Sequence, residues 1–232
     1  MTIALDAATL THRQPLSVEL KDATAAAHDT AENSQFMVQL AAGRLSYVDV
    51  VNLTAQYWFI YTALEDAVRR TAHTRVVAAV ADPALERVPA LEVDLAHMLG
   101  ADWRAKVSAT GATRRYVGVL NALGSEHAPT VVAHHYVRYL GDIAGGQVIA
   151  RMLAGAYGLS SEELNFYDFS AIGKIPPYRK AYKAAINSLP VDTEGRIELL
   201  DAARDAFALN SAVFADLALV SPVLANPCPA AD

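Results

Sequence analysis

Between residues 17 and 218 almost every stretch repeats its apolar residues with a period of about 3.6, and nowhere does apolar–polar alternation persist over several segments. A chain patterned this way buries its apolar stripes by laying helix against helix, which predicts an all-α, multi-helix fold. No internal repeat and no linker interrupts the pattern. One domain over 16–219 is therefore expected, between a flexible N-terminus over 1–15 and a disordered, Pro- and Ala-rich tail over 220–232. With 232 residues the chain can bury a substantial core.

The pattern and its punctuation predict helices over 17–32, 34–42, 46–71, 83–99, 113–123, 129–157, 178–189 and 193–217. Pro15 precedes the first, Gly100 and Gly124 close the fourth and fifth, and Pro190 separates the last two. The stretch NFYDFSAIGKIPP over 165–177 is rich in aromatics, Gly and Pro and reads as an irregular connection. Hydrophobic residues make up 53% and charged residues 19%, which excludes a disordered, highly charged chain. A formal charge of −6 argues against a nucleic-acid partner. No run of about 18 uninterrupted apolar residues is present, so no membrane span is expected. The first residues lack a basic region followed by an apolar one, and the chain reads as cytoplasmic. Its lone cysteine, Cys228, rules out a disulfide framework or a cysteine metal cluster. Metal chemistry then falls to His, to carboxylates or to a bound cofactor.

The sixth predicted helix carries Gly-Asp-Ile-Ala-Gly-Gly-Gln over 141–147. Each interior glycine costs a helix about 1 kcal/mol relative to Ala, and Asp142 adds a desolvation cost unless it finds partners. Gly141 and Gly145 share one face, with Gly146 beside them. Either a neighbouring helix packs there, with Asp142 paired to Arg138, or a flat ligand lies on the stripe. In the first helix His28 falls on the face of Leu20, Thr24 and Ala31, where the core is expected. Small neighbours leave room beside its ring, and Glu32 one turn later can take its second ring N–H. His134 and His135 are adjacent, so they face different sides and cannot share a metal. Asp94-x-x-His97 is a single copy of a motif that a di-iron site needs twice. Arg179 and Lys183, one turn apart, form either a solvated basic edge or, with Lys21 and Tyr136, a seat for two carboxylates.

Three ordered segments carry a resemblance to the haem oxygenase family: KDATAAAHDTAENSQFM, RYLGDIAGGQV and INSLPVDTEGRIELLDAARDAFALN. The resemblance implies a single-domain haem oxygenase-like fold with haem b between a proximal and a kinked distal helix. It makes His28 the axial iron ligand and Glu32 its hydrogen-bond partner. Gly141 and Gly145 would let the distal helix approach the porphyrin, and Gly146 would ease the local bend. Asp142 would anchor water beside bound O2, in a catalytic network with Tyr61, Arg138, Asn210 and Gly141. Lys21, Tyr136, Arg179 and Lys183 would face the propionates, with Phe207 and Phe166 packed around the pocket. Two departures stand out: Ala144 where many relatives carry Ser, and Arg-then-Lys order at 179 and 183.

The implied reaction opens haem at a meso carbon, the α position being favoured. It yields biliverdin, CO and ferrous iron with electrons from a ferredoxin or an NAD(P)H-dependent reductase. Haem is then both cofactor and substrate, in a monomeric enzyme of iron acquisition or haem turnover. Two other readings stay open: a haem-binding or storage protein without turnover, and a thiaminase-like or cofactor-oxidase relative that needs no axial histidine.

Overall fold

The computed structural model describes residues 14–221. Cys228, most of the N-terminal segment and nearly all of the tail lie outside the described residues. Ten α-helices follow one another, with short 3-10 turns between them and, among the described residues, no β-strand.

Helix α1 (Leu16–Glu32) begins after Pro15, and α2 (Gln35–Ala41) is capped by Ser34. The long α3 (Tyr47–Thr71) opens on a reciprocal cap: Ser46 N donates to Asp49 Oδ2 at 2.7 Å, and Asp49 N donates to Ser46 Oγ at 3.3 Å. The short α4 (Arg75–Ala78) follows, a single turn too brief for periodicity to reveal. The predicted helix over 83–99 is split. Pro83–Leu85 forms a 3-10 turn and α5 (Val88–Leu99) starts only after Arg87. The path breaks at Glu86, whose ψ of 133° is extended rather than helical. The freed N–H groups of Arg87 and Val88 donate instead to Glu65 Oε1, at 2.6 and 3.1 Å.

After α6 (Gly111–Ala122), the predicted 129–157 helix becomes three pieces of one helical path: α7 (Ala128–His135), a π turn (Tyr136–Leu140) and α8 (Gly141–Tyr157). The irregularity thus falls just before the glycines rather than within them. Gly158, at φ +68°, closes α8 in the left-handed conformation that glycine tolerates. Helix α9 (Ile175–Asn187) takes Pro176 and Pro177 in its first turn, and α10 (Thr193–Val220) is capped by Asp192. Helix α10 runs through the middle, packed on α1, α6 and α7, while α3 packs on α5, α6 and α7. Leu20, Leu40, Ile60, Leu64, Leu120, Val131 and Val213 are fully buried between them. This leaves α1 and the π turn facing each other across a gap. Among the described residues no helix is long and apolar enough to cross a membrane.

Candidate active site

The gap is a cavity of about 510 Å³. Ser17, Lys21, Thr24, Ala25, His28 and Asp29 of α1 form its floor. Tyr136, Val137 and Leu140 of the π turn and Gly141 and Ala144 of α8 form its ceiling. Arg179 and Lys183 of α9 and Phe207 of α10 complete the walls. The π turn explains how one short segment serves two sides. Its wider winding turns Tyr136, Val137 and Leu140 to the cavity while Arg138 and Tyr139 enter the core.

His28 does not point into a packed core, as its helix face suggested. Its side chain is 51% exposed because it borders the open cavity. Nδ1 lies 3.5 Å from Glu32 Oε2, and the ring meets the edge of Phe207 at 5.8 Å. Nε2 is thus the nitrogen left for a ligand. Among the described residues no three His, Cys, Asp or Glu side chains gather around one point.

Behind the ceiling lies a buried polar network. Tyr61 Oη donates to Asp142 Oδ2. Arg138, only 5% exposed, donates from Nη1 to Asn210 Oδ1 at 2.7 Å, and its guanidinium lies over the rings of Tyr57 (4.6 Å) and Tyr61 (4.9 Å). The Asp142–Arg138 pair of the helix-packing reading is replaced by these two contacts. Burial pushes the Asp142 carboxyl well above the ordinary carboxylate range. Tyr61, Arg138, Asp142 and Asn210 are brought together, yet none of the four lines the cavity. Whatever they do to a ligand must pass through an intermediary beside Gly141.

The cations gather at one end. Lys21, Arg179 and Lys183 line the cavity together with Tyr136, and the same two α9 cations border a second hollow of about 630 Å³. Gly141 leaves open space where a side chain would stand, and at Gly145 a Cβ would meet nothing nearer than Ile149 Cδ1 at 4.0 Å. Gly146 is a correction. It lies in regular helix and faces the other way, where a Cβ would sit 3.4 Å from Tyr167 Cδ1, so it serves close packing rather than the cavity or a bend. Phe166 also stands back from the cavity, 5.4 Å from each of the Tyr57 and Tyr61 rings.

The paired histidines are core residues. His134 Nδ1 meets Tyr116 Oη at 3.2 Å and His135 Nδ1 meets Tyr182 Oη at 2.8 Å. Burial lowers their pKa values to about 4 and about 3, so both rings are neutral. Asp94 accepts from the backbone of Asn165 and Phe166, fixing the 165–167 turn. One buried carboxylate escaped the sequence reading. Glu65 is 2% exposed, accepts from Tyr139 Oη at 3.2 Å, and is pushed by burial up to about 7. Its only signal was an acid on the apolar face of α3, one turn after Tyr61.

An unpaired buried donor shows what the slot wants. Nε of Arg179, which lines the cavity, is buried without a hydrogen-bond partner, and such a group calls for an acceptor oxygen. A helical slot with one histidine below, a bare glycine above and three cations at its end defines a class: an all-α enzyme that takes a flat, dianionic metal chelate. The chain belongs to the haem oxygenase family. The family model described as "Heme oxygenase" matches residues 14–216. Over 204 residues the chain is 38% identical to "Heme oxygenase 1" of Gallus gallus, covering 87% of this chain and 69% of that one. Over 202 residues it is 30% identical to the Synechocystis "Heme oxygenase 1", covering 87% and 84%. The crystal structure of the Synechocystis heme oxygenase-1 in complex with heme superposes with a TM-score of 0.84 at 30% identity, covering 88% of this chain and 92% of that one.

Proposed function

We propose that this enzyme opens haem b at a meso carbon, the α position, to give biliverdin, CO and ferrous iron. The observation that carries the reading is the opposition, across one cavity, of His28 on α1 and Gly141 on the π-turned helix, with Lys21, Arg179 and Lys183 at the same end. When bound, haem supplies the iron that activates O2 and the carbon that is oxidised.

The chain's own residues do the rest. His28 Nε2 would hold the iron, and Glu32 faces Nδ1, which favours the tautomer that leaves Nε2 unprotonated. A neutral imidazole pushes less electron density onto the iron than a thiolate does. Oxygen activation therefore leans on the opposite wall. Lys21, Arg179, Lys183 and Tyr136 fix the two propionates and with them the rotation of the ring. Gly141 admits the porphyrin close to the helix, while Leu140 and Val137 shed bulk water. Asp142, clamped by Tyr61 and pushed by burial well above the ordinary carboxylate range, keeps and hands on a proton through water, because its carboxyl does not reach the cavity. The unpaired nitrogens of Arg138 anchor that water.

Electrons come from a ferredoxin or an NAD(P)H-dependent reductase, and the enzyme works as a cytoplasmic monomer in iron acquisition or haem turnover. Adding haemin, a reductant and air to the protein tests the reading. A Soret band that decays as bilin absorption grows is the expected result. A persistent Soret band identifies a storage protein, and the absence of any Soret band removes haem from the account.

A further inference from the structure

Helix α9 carries two of the cations, yet only Tyr182 and Ile186 of its residues are buried. Three polar ties hold it: Tyr178 Oη donates to Asp82 Oδ2 at 2.6 Å, Ser17 N donates to Asn187 Oδ1 at 2.9 Å, and Tyr182 Oη meets His135 Nδ1 at 2.8 Å. The last of these is fully enclosed. The two rings lie parallel within 7°, with centroids 5.7 Å apart, and His135 also packs on Tyr139 at 4.4 Å. Tyr182 stands directly before Lys183 and three residues after Arg179. His135 stands directly before Tyr136, the first residue of the π turn. One contact therefore registers the cation-bearing helix against the start of the ceiling.

From this placement we infer that His135 and Tyr182 form a positioning pair that sets the in-plane seating of the haem relative to Asp142, and so selects which meso carbon is opened. The inference rests on the function proposed above. The propionates follow Arg179 and Lys183, so a slide of α9 turns the ring. Asp142 does not follow, because Tyr61 on α3 holds it. The angle between the ring and the ceiling is then set by how α9 meets α7. A hydrogen bond inside a low-dielectric contact is directional where apolar packing is not, which suits it to fix that angle.

Two variants keep the question separate from folding. Tyr182→Phe removes one oxygen and keeps the stacked ring. The double variant His135→Leu/Tyr182→Phe replaces both partners with apolar groups, a change that is often nearly neutral for stability. In the ferric haem complex, the hyperfine-shifted haem methyl resonances report ring rotation without any turnover. Both variants are expected to bind haem and to show a second set of methyl resonances. Their minor bilin isomers should rise about two- to tenfold over the parent, the range that loss of one net hydrogen bond allows. His135→Asn, which places an amide near the Nδ1 position, should restore most of the parent pattern. Parent-like methyl shifts and isomer ratios in both Tyr182→Phe and the double variant would overturn the inference. A parent that binds haem but makes no bilin would overturn the proposed function, and the methyl shifts would still decide the seating. A parent that binds no haem would overturn both.

Discussion

The floor and the ceiling of the cavity are built on opposite principles. On the floor, His28 and Glu32 are 51% and 67% exposed and stand 3.5 Å apart beside open solvent. On the ceiling, Arg138, Asn210 and Tyr61 are buried and the Asp142 carboxyl is pushed upward by its surroundings. A metal ligand needs only a lone pair with room around it, and half-exposed α1 provides that. The proton relay proposed above needs a carboxyl that holds its proton more tightly than a free one, and burial moves Asp142 in that direction. The difference teaches that the proposed ligand rests on one residue and the proposed relay on an environment.

The comparison breaks most sharply at His28. His28→Ala should abolish the imidazole-ligated Soret and Raman signature and reduce bilin formation by about a hundredfold or more, on the scale of losing a group that touches the reacting centre. An unaltered Fe–His stretch would take His28 out of the site. Asp142→Ala should keep the haem spectrum and lower bilin yield by about 10²–10³-fold, the usual range for a lost proton-transfer group. An unchanged yield would show that the ceiling's environment does no chemistry. Arg179→Ala, at the shared end, should weaken haem binding by about tenfold, as expected for one charge-assisted bond. Titration at two salt concentrations checks it, since the loss should shrink as salt rises.

Glu65 sharpens the ceiling side through stability. Its pKa rises from the ordinary 4.5 to about 7 on folding. The folded state therefore binds the proton more tightly than the unfolded chain. The contribution is fully present below 4.5 and is lost as pH rises through about 7. Glu65→Gln should flatten denaturant midpoints across that window, a change on the order of 1–3 kcal/mol; parallel pH profiles for the two proteins would contradict it. The smallest effect is assigned to Gly146→Ala. Haem affinity should stay within about twofold, and stability should change by no more than about 1 kcal/mol, the helix gain of Ala set against a close Tyr167.

Much of this was legible in the sequence because burial repeats at the helical period. The bounds of α1, α3 and α10 follow from their stripes and from Ser46 and Asp192 at their starts. Gly141 and the cations at 21, 179 and 183 were legible as odd residues in good helices. The π turn was not, because one extra residue in five barely disturbs an apolar pattern. The split before α5 hid behind Pro83, which reads equally well as a helix start. His28 was placed on the right face and given the wrong surroundings, since periodicity tells buried from exposed but not core from cavity. Gly146 misled for the same reason: a glycine marks close approach without naming what approaches.

The π turn also makes the site depend on a count. A π turn winds about five residues over the arc that four cover in an α-helix, so Tyr136–Leu140 takes up one extra residue while α8 continues the path of α7. That extra residue decides which side chains of the turn meet the cavity: Tyr136, Val137 and Leu140 do, and Arg138 and Tyr139 do not. The ceiling is thus encoded by an integer, the number of residues between His135 and Asp142, as firmly as by the identity of any one of them.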